Sequence, residues 1–327
     1  MDRAIAVAAT ARRRVAPRPW VGAALLPAGA EPDAAILGAT DGRTGPHAEV
    51  VALAAAGERS RGATLYVTLE PCAHHGATPP CADAVIAAGV QRVVVAVVDP
   101  DPKVAGEGIE RLRAAGLQVD VGVGAAAVER QLRPYLHHRR TGRPFVVLKM
   151  AATVDGRTAA PDGSSQWITG PDARLDVHRL RADSDAILVG AGTVRSDDPA
   201  LTVRLPGEER GSDDIEPLRV VLGAAPADAA VHPCLEMGGD LGAVLDDLGA
   251  RGVLQLLVEG GAAVAHDFHA AGLVDRYVLY LAPALFGGDD ARPLFSGPGA
   301  PTLDAVSRLR IVDVTRVGDD LRLDLEG

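Results

Sequence analysis

Short apolar runs typical of strands alternate with helical segments along nearly the whole chain. The clearest run covers residues 92–98, where the apolar residues are nearly continuous, as in a central strand that is buried on both faces. Residues 104–115 show a helical pattern that ends just before Gly116, a common residue past a helix C-terminus. Strands that alternate with helices predict an α/β fold, in which helices cover the faces of each sheet.

The same patterns predict two series of elements with a break between them. The first series has strands at 21–26, 34–37, 63–69, 92–98 and 119–123 and helices at 2–14, 47–56, 80–88, 104–115 and 125–139. The second has strands at 145–150, 186–189, 218–222, 254–258, 274–281, 309–317 and 321–325 and helices at 172–181, 239–248 and 262–271. Residues 138–144, which are polar and contain glycine and proline, separate the two series. The chain of 327 residues is therefore expected to form two domains, 1–143 and 144–327.

The composition excludes several classes of protein. A net charge of -10 and 3% aromatic residues argue against a nucleic-acid binder, which needs a basic face and stacking rings. No run of about 18 apolar residues occurs, so no membrane-spanning helix is predicted. The first 14 residues place three arginines after their apolar stretch, the reverse of a secretory leader. With only three cysteines, a cytoplasmic location is expected, where close-spaced cysteines favour metal binding or catalysis.

One histidine and two cysteines stand in an order that suits a metal ion. His47, Cys72 and Cys81 each fall at a predicted helix start or strand end. One imidazole and two thiolates make a zinc site with an open position for water, and zinc lowers the pKa of that water to about 7. Glu49 can then move protons between water and substrate without binding the metal. Any one of these residues could be an ordinary packed or surface residue, but together they match zinc nucleobase deaminases.

The motifs around these residues resemble the bifunctional deaminase–reductase family of riboflavin biosynthesis. The segment HAE at 47–49 is followed by TLEPC at 68–72, and eight residues separate the two cysteines, where ordinary cytidine-deaminase-type enzymes have two. The segment DPDPKVAG at 99–106 is also similar to this family. The resemblance implies a cytidine-deaminase-like three-layer α/β/α domain with zinc on His47, Cys72 and Cys81 and with Glu49 as the proton carrier. His74 and His75 are expected to shape the loop over the substrate.

Four polar segments in the second half also carry this resemblance: residues 149–157, 164–169, 192–199 and 258–262. Strand ends and glycine turns before helices are where α/β sheets bind phosphates and nucleotides. Each segment could be an ordinary loop, but in this order they resemble the reductase half of the family. The resemblance implies a dihydrofolate-reductase-like α/β domain that uses NADPH. It places NADPH against Ala151, Trp167, Thr193, Asp197, Gly261, Ala262, Ala263, Val264, Ala265, His266 and Asp267, and the substrate against Ser165, Arg181, Arg204 and Glu259.

Asp197 and Glu259 are the better candidates for handling the proton that accompanies hydride transfer, and Asp197 is predicted to be catalytic. Lys149, one of only two lysines, is expected to have an electrostatic or structural role beside this site. The arginines suit a ribose phosphate, which needs fixed cationic groups.

The chain departs from the family pattern at three places. Arg18 stands where the family has an asparagine, and Thr40 where it has a histidine; both family residues are expected to touch substrate. Arginine cannot accept a hydrogen bond, so either the base is held differently or Arg18 takes a phosphate. The stretch 223–240 is shorter than usual, which bears on the choice between NADPH and NADH. Cys234 within it is interpreted as a packed or surface thiol.

The sequence thus predicts a bifunctional enzyme. The first domain deaminates a phosphoribosylaminopyrimidine with a zinc-activated hydroxide, and the second reduces the ribosyl group to ribityl with NADPH. A homodimer through the reductase half is expected from the resemblance. Three alternatives stay open: a deaminase of another base with an inert second domain, a reductase whose deaminase has decayed, and a zinc-stabilised scaffold without activity.

Overall fold

The computed structural model describes residues 1–74, 79–207 and 209–327. The chain divides into two compact units, Met1–Arg143 and Pro144–Gly327, which we call the N-terminal and the C-terminal unit. Within the described ranges, no helix is both long enough and apolar enough to cross a membrane. His75, for which the sequence predicts a role above the substrate, lies outside the described residues.

The N-terminal unit is built on a five-stranded sheet in the order β2-β1-β3-β4-β5. Strand β1 is antiparallel to β2 and to β3, whereas β3, β4 and β5 are parallel. The strands are β1 (Gly22–Leu26), β2 (Ile36–Ala39), β3 (Thr64–Leu69), β4 (Arg92–Val97) and β5 (Gln118–Val121). The helices are α1 (Asp2–Ala9), α2 (Ala48–Ala56), α3 (Cys81–Ala87), α4 (Glu107–Ala114), α5 (Ala125–Gln131) and α6 (Arg133–Thr141).

Two glycines show that helices cover both faces of this sheet. A Cβ on Gly22 would overlap the backbone of α1 at Ala4, and a Cβ on Gly38 would overlap the backbone of α2 at Ala48. Gly38 pairs with Ala23, the neighbour of Gly22 in β1, so the two glycines point to opposite faces. The N-terminal unit therefore has the three layers that the sequence predicts.

The end of the N-terminal unit differs from the prediction. The segment 125–139 forms two helices, because Pro134 lies in the first turn of a new helix, α6. The predicted break at 138–144 is wrong in its first half: α6 continues to Thr141, and Gly142 ends it with a left-handed φ of 77°. Burial of Tyr135 and Leu136 keeps this polar-looking segment helical. Near the start, the predicted helix 2–14 already ends at Ala9.

The C-terminal unit is built on an eight-stranded sheet in the order β10-β9-β8-β11-β6-β12-β15-β14. Its first six strands are parallel, and β15 and β14 are added antiparallel at one edge. The strands are β6 (Phe145–Thr153), β7 (Arg157–Ala159), β8 (Ala186–Gly190), β9 (Leu218–Leu222), β10 (Leu235–Met237), β11 (Gln255–Val258), β12 (Arg276–Ala282), β13 (Arg292–Pro293), β14 (Arg310–Val317) and β15 (Asp320–Glu326). The helices are α7 (Pro171–Ala182), α8 (Ala191–Asp197), α9 (Leu241–Ala250) and α10 (Ala262–Ala270).

Alternate side chains of the parallel strands pack into two separate hydrophobic cores, one on each face of the sheet. Val147 of β6 packs in one core with Val177 of α7 and Val194 of α8. Its neighbour Leu148 packs in the other with Leu245 of α9 and Phe268 of α10. Since successive side chains of a strand point to opposite faces, the sheet is covered by helices on both sides. The carboxyl ends of its strands are thus held rigidly for a site.

Some short elements of the C-terminal unit were not predicted. Helix α8 and strands β7, β10 and β13 have too few residues to show a clear hydrophobic period. Strand β10 lies inside the shortened stretch 223–240 and pairs with β9, so this stretch still adds a strand to the sheet. The predicted terminal hairpin is present, and Gly318 in its turn has a φ of 62°.

Candidate active sites

Three potential metal ligands meet in the N-terminal unit. His47 directly precedes α2, Cys81 is the first residue of α3, and Cys72 follows the end of β3. The His47 Nδ1 atom lies 3.1 Å from Cys81 Sγ and 3.6 Å from Cys72 Sγ. All three donor atoms lie within 4.8 Å of one another. The three residues that the sequence predicts as ligands are therefore brought together by element ends.

The donor set and its spacing fit zinc. In a tetrahedral site with Zn–S of about 2.3 Å and Zn–N of about 2.0–2.1 Å, neighbouring donors are roughly 3.5–3.8 Å apart. A hydrogen bond from Cys81 lowers the pKa of Cys72 to about 4, whereas the adjacent Cys72 raises the pKa of Cys81. One thiolate thus forms readily, and the second needs a cation beside it. A hydrogen bond with Cys72 raises the pKa of His47.

Glu49 lies beside these ligands in the first turn of α2 and is 3% exposed. Burial raises its pKa to about 7, and the charge of His47 and a hydrogen bond with Cys81 oppose this shift. The carboxyl is not one of the three grouped ligand residues. A carboxyl group that titrates near neutrality can both accept and donate a proton there.

Arg18 and Thr40, the two departures near this site, have different surroundings. The Arg18 Nη1 atom donates to the carbonyls of Gly42 and Gly45 at 3.0 and 2.9 Å. Burial lowers the pKa of Arg18, and the charges of Cys81, Cys72 and Glu49 act in the opposite direction, so the guanidinium is close to the metal ligands. The buried Thr40 hydroxyl accepts from Val21 N at 3.1 Å and thereby supports the backbone.

A second site lies in the C-terminal unit, in a cavity of about 580 Å³. Its wall comes from the ends of β6 and β11, the segment 165–169, helix α7 and the region around α8. Ten of the predicted binding residues line it: Ala151, Ser165, Trp167, Arg181, Thr193, Asp197, Arg204, Glu259, Gly261 and Ala262. The four polar segments singled out in the sequence therefore converge on one cavity.

The cavity contains a buried ion-pair network. Arg181 binds Glu259 through two hydrogen bonds, of 2.6 and 3.0 Å, and the Lys149 Nζ atom lies 3.8 Å from the same carboxylate. Burial alone would raise the pKa of Glu259, but the charges of Arg181 and Lys149 outweigh it, and the pKa is lowered. Burial also lowers the pKa of Lys149. Glu259 is thus better suited to fixing these two cations than to donating a proton.

Trp167 presents a large aromatic surface at this cavity and is 68% exposed. The Arg174 guanidinium lies over its ring at 4.6 Å from the centroid, and Nη1 of Arg174 donates to Thr169 O at 2.7 Å. Asp197, the last residue of α8, is exposed. Both predicted side chains are therefore accessible to a bound molecule.

Among the cavity residues that the sequence reasoning missed are two basic side chains, Arg174 and His178. Together with Arg181 they lie three to four residues apart on α7, the spacing that places side chains on one helix face, so the signal was present. The His178 Nδ1 atom accepts from Arg204 N at 3.3 Å and supports the segment that carries that arginine.

Five residues predicted to bind NADPH are not part of the cavity wall: Ala263, Val264, Ala265, His266 and Asp267. Ala265 is buried in the core, and Val264 packs against it. The ring of His266 lies 3.1 Å from the Pro298 carbonyl. The helical spacing of α10 turns most of these side chains away from the cavity, and their contact with NADPH stays a prediction.

Family models match both units. The RibD C-terminal domain matches residues 144–323, and the cytidine and deoxycytidylate deaminase zinc-binding region matches residues 1–97. The riboflavin biosynthesis protein RibD of Escherichia coli is 39% identical over 366 residues, covering 100% of this chain and 98% of that protein. RibD of Mycobacterium tuberculosis H37Rv is 44% identical over 331 residues, covering 94% and 91%.

Two solved structures are similar over nearly the whole chain. Acinetobacter baumannii RibD, form 1, has a TM-score of 0.93 at 36% identity and covers 99% of this chain and 97% of that one. A diaminohydroxyphosphoribosylaminopyrimidine deaminase/5-amino-6-(5-phosphoribosylamino)uracil reductase from Thermotoga maritima has a TM-score of 0.87 at 33% identity and covers 100% and 97%. The predicted fold class, a cytidine-deaminase-like part followed by a reductase part, is confirmed.

Proposed function

The chain belongs to the RibD family of riboflavin biosynthesis proteins, and from that premise we propose how its residues divide two reactions between two sites. It is a bifunctional deaminase–reductase, with a zinc-binding deaminase region and a reductase of the NADPH-using type. The proposed substrates are the two compounds in the description of the Thermotoga protein: the diaminopyrimidine for the deaminase and the phosphoribosylaminouracil for the reductase.

Residues 1–143 are the proposed deaminase. His47, Cys72 and Cys81 would hold zinc, which when bound lowers the pKa of a water so that it can attack at neutral pH. Glu49 would accept one proton from the attacking water and pass it to the ring nitrogen. It would then accept the second proton, from the newly added hydroxyl group, and pass it to the amine, which leaves as ammonia. Its pKa of about 7 suits both transfers, because neither protonation state is strongly disfavoured near neutrality.

Residues 144–327 are the proposed reductase, in which bound NADPH supplies the hydride. Arg181 and Arg204 hold the substrate phosphate, and Glu259 fixes Arg181 through two hydrogen bonds. Asp197 handles the proton at the exposed end of α8. The remaining proposed contacts are with Ser165 for the substrate and with Ala151, Trp167, Thr193, Gly261 and Ala262 for the cofactor.

One observation carries this proposal: three metal-binding side chains converge beside a buried carboxyl whose pKa lies near neutrality. The test is an assay of the purified chain with the diaminopyrimidine substrate, in which ammonia release and NADPH oxidation are followed separately. Both signals are expected. If the chain oxidises NADPH with the deaminated substrate but releases no ammonia from the diaminopyrimidine, it is a reductase only. Arg18 and Thr40, the two departures from the family pattern in the deaminase, are the reason to test for this outcome. Neither signal, with unfolding on chelation, would leave a zinc-stabilised scaffold.

A homodimer through the C-terminal unit is also proposed. Strand β14 is the edge of the eight-stranded sheet, and its apolar residues Ile311 and Val314 are 57% and 55% exposed. An exposed edge strand with apolar side chains is a surface that a second copy can cover. Sedimentation of the wild type and of Val314→Lys distinguishes a dimer from a monomer.

We place the enzyme in the cytoplasm, where the thiols of a zinc site stay reduced.

A further inference from the structure

The carboxylate of Glu70 has an unusual set of partners two residues before the ligand Cys72. Its Oε1 atom accepts from the backbone N–H groups of Gly108 and Ile109 at 2.9 and 3.3 Å. Its Oε2 atom accepts from those of Asp99 and Gly106 at 3.2 and 3.0 Å. Glu70 is 4% exposed. One buried side chain thus ties β3 to both ends of the segment 99–106 and to the start of α4.

These partners follow from the way α4 begins. The first N–H groups of a helix have no partner within the helix, and the residue before α4 is Gly106, which has no side chain to cap them. Glu70 supplies the cap from a distant part of the chain. The positive end of the helix also favours a carboxylate at this position.

Gly108 brings the helix unusually close to the cysteine segment. A Cβ on Gly108 would overlap the carbonyl oxygen of Pro71 and would lie 3.0 Å from its carbonyl carbon and 3.2 Å from Glu70 Oε1. The first turn of α4 therefore rests directly on the peptide group that connects Pro71 to Cys72. Any larger residue at 108 would push that peptide group away.

Beyond this contact, Cys72 is held towards the other cysteine by two hydrogen bonds. Its carbonyl accepts from Ala82 N at 3.1 Å, and its Sγ atom accepts from Cys81 N at 3.3 Å. Cys72 is therefore clamped between α4 on one side and α3 on the other. The position of its sulfur depends on both.

We propose that Glu70 and Gly108 are positioning residues for the zinc site: they press the start of α4 against Pro71 and so fix Cys72 Sγ at its ligand position. The segment DPDPKVAG at 99–106 then has a structural role, because the backbone N–H groups of its first and last residues, Asp99 and Gly106, donate to Glu70. The proposal rests on the proposed zinc site of His47, Cys72 and Cys81. Groups that orient metal ligands typically contribute about 10- to 100-fold to metal affinity.

The test compares zinc retention in Glu70→Gln, Gly108→Ala and Glu107→Gln with the wild type, using a colorimetric chelator to follow zinc release. The Gln amide cannot accept on its nitrogen, so two backbone N–H groups lose their partner. Glu107→Gln is the matched control, since it removes an exposed carboxylate from the same helix turn, next to Gly108. Glu70→Gln and Gly108→Ala are expected to release zinc about 10- to 100-fold faster, and the control to stay within about twofold.

A second readout separates positioning from general stability. Excess zinc is expected to restore ammonia release in Glu70→Gln, and NADPH oxidation is expected to match the wild type throughout. Zinc release at the wild-type rate from folded Glu70→Gln, or equal loss in Glu107→Gln, would overturn the proposal. The proposal would also be overturned if Glu70→Gln stayed unfolded in saturating zinc, because Glu70 would then be required for folding of the N-terminal unit and not only for the position of Cys72. A wild type that retains no zinc at all would instead contradict the proposed function.

Discussion

At the scale of single residues, the neighbouring charges decide which buried carboxyl groups can carry protons. Glu49 is buried and the side chain of Glu259 is only 8% exposed, yet the pKa of Glu49 is raised to about 7 and that of Glu259 is lowered. The difference comes from the charges of Arg181 and Lys149 beside Glu259, to which the two hydrogen bonds donated by Arg181 add. A glutamate can thus exchange a proton near neutral pH in one unit, whereas in the other it is held as an anion.

Glu49→Gln is expected to abolish ammonia release while zinc stays bound. The amide keeps the size of the side chain but cannot shuttle protons, and general acid–base catalysis contributes about 10²- to 10⁴-fold. Zinc content is measured by metal analysis and ammonia by a coupled assay. Retained ammonia release would remove Glu49 from its proposed role.

Arg18→Ala is expected to raise KM for deamination by about tenfold, because hydrogen bonds from a charged group contribute about 1.5–3 kcal/mol. The change removes the contacts to Gly42 and Gly45 and a positive charge close to the metal ligands. Arg14→Ala, which loses a contact to Thr10 O on the surface, is the control. Equal KM values for both variants would show that Arg18 has no part in binding.

The lowered pKa of Glu259 predicts a pH dependence of stability. The ionised carboxylate stabilises the folded chain fully above its ordinary pKa of 4.5, and this contribution is lost as the pH falls through the lower folded value. The free energy of unfolding is therefore expected to fall more steeply in acid for the wild type than for Glu259→Gln. Denaturant titrations between pH 3 and 7 measure both curves, and parallel curves would contradict the expectation.

At the scale of elements, the sequence predicts those with a clear hydrophobic period and misses those set by long-range contacts. Strand β4 is buried on both faces, and its apolar run shows this directly. The sequence predicts a break from residue 138 onwards, where helix α6 in fact continues to Thr141, because the last turn of this helix is polar. Only the packing of Tyr135 and Leu136 shows that the segment is helical. Boundaries of this kind depend on tertiary contacts that no local pattern contains.

The candidate site follows the same rule. The convergence of His47, Cys72 and Cys81 could be predicted, since residue type and order indicate a metal site. In the sequence, Glu70 stands out only as part of the TLEPC motif, because its hydrogen-bond partners at 99–109 lie 29 to 39 residues away and are brought to it only by folding. The sequence predicts an electrostatic or structural role for Lys149, and the structure places its Nζ atom 3.8 Å from the Glu259 carboxylate.

Gly38→Ala is expected to destabilise the N-terminal unit. The added Cβ would overlap the backbone of α2, which follows His47 and carries Glu49, and overpacking costs about 1–3 kcal/mol. Urea unfolding measures the loss. Gly238→Ala, where no atom lies within 4 Å of the new Cβ, is the control and is expected to unfold like the wild type.

At the scale of the whole molecule, each unit has its own sheet and its own candidate site. Asp197→Ala is therefore expected to slow NADPH oxidation and to leave ammonia release unchanged, the reverse of Glu49→Gln. Steady-state rates of both reactions on the two variants give the comparison. A parallel fall of both activities in either variant would show that the two reactions share residues.

The burial of Lys149 has a practical result for chemical labelling. The chain has only two lysines, and the other, Lys103, is exposed in the segment 99–106. Reagents that acylate amines will therefore modify two groups quickly, the Lys103 side chain and the α-amino group. A fluorophore attached to Lys103 would report on the turn next to α4, whereas Lys149, 18% exposed and paired with Glu259 in the cavity wall, would react more slowly.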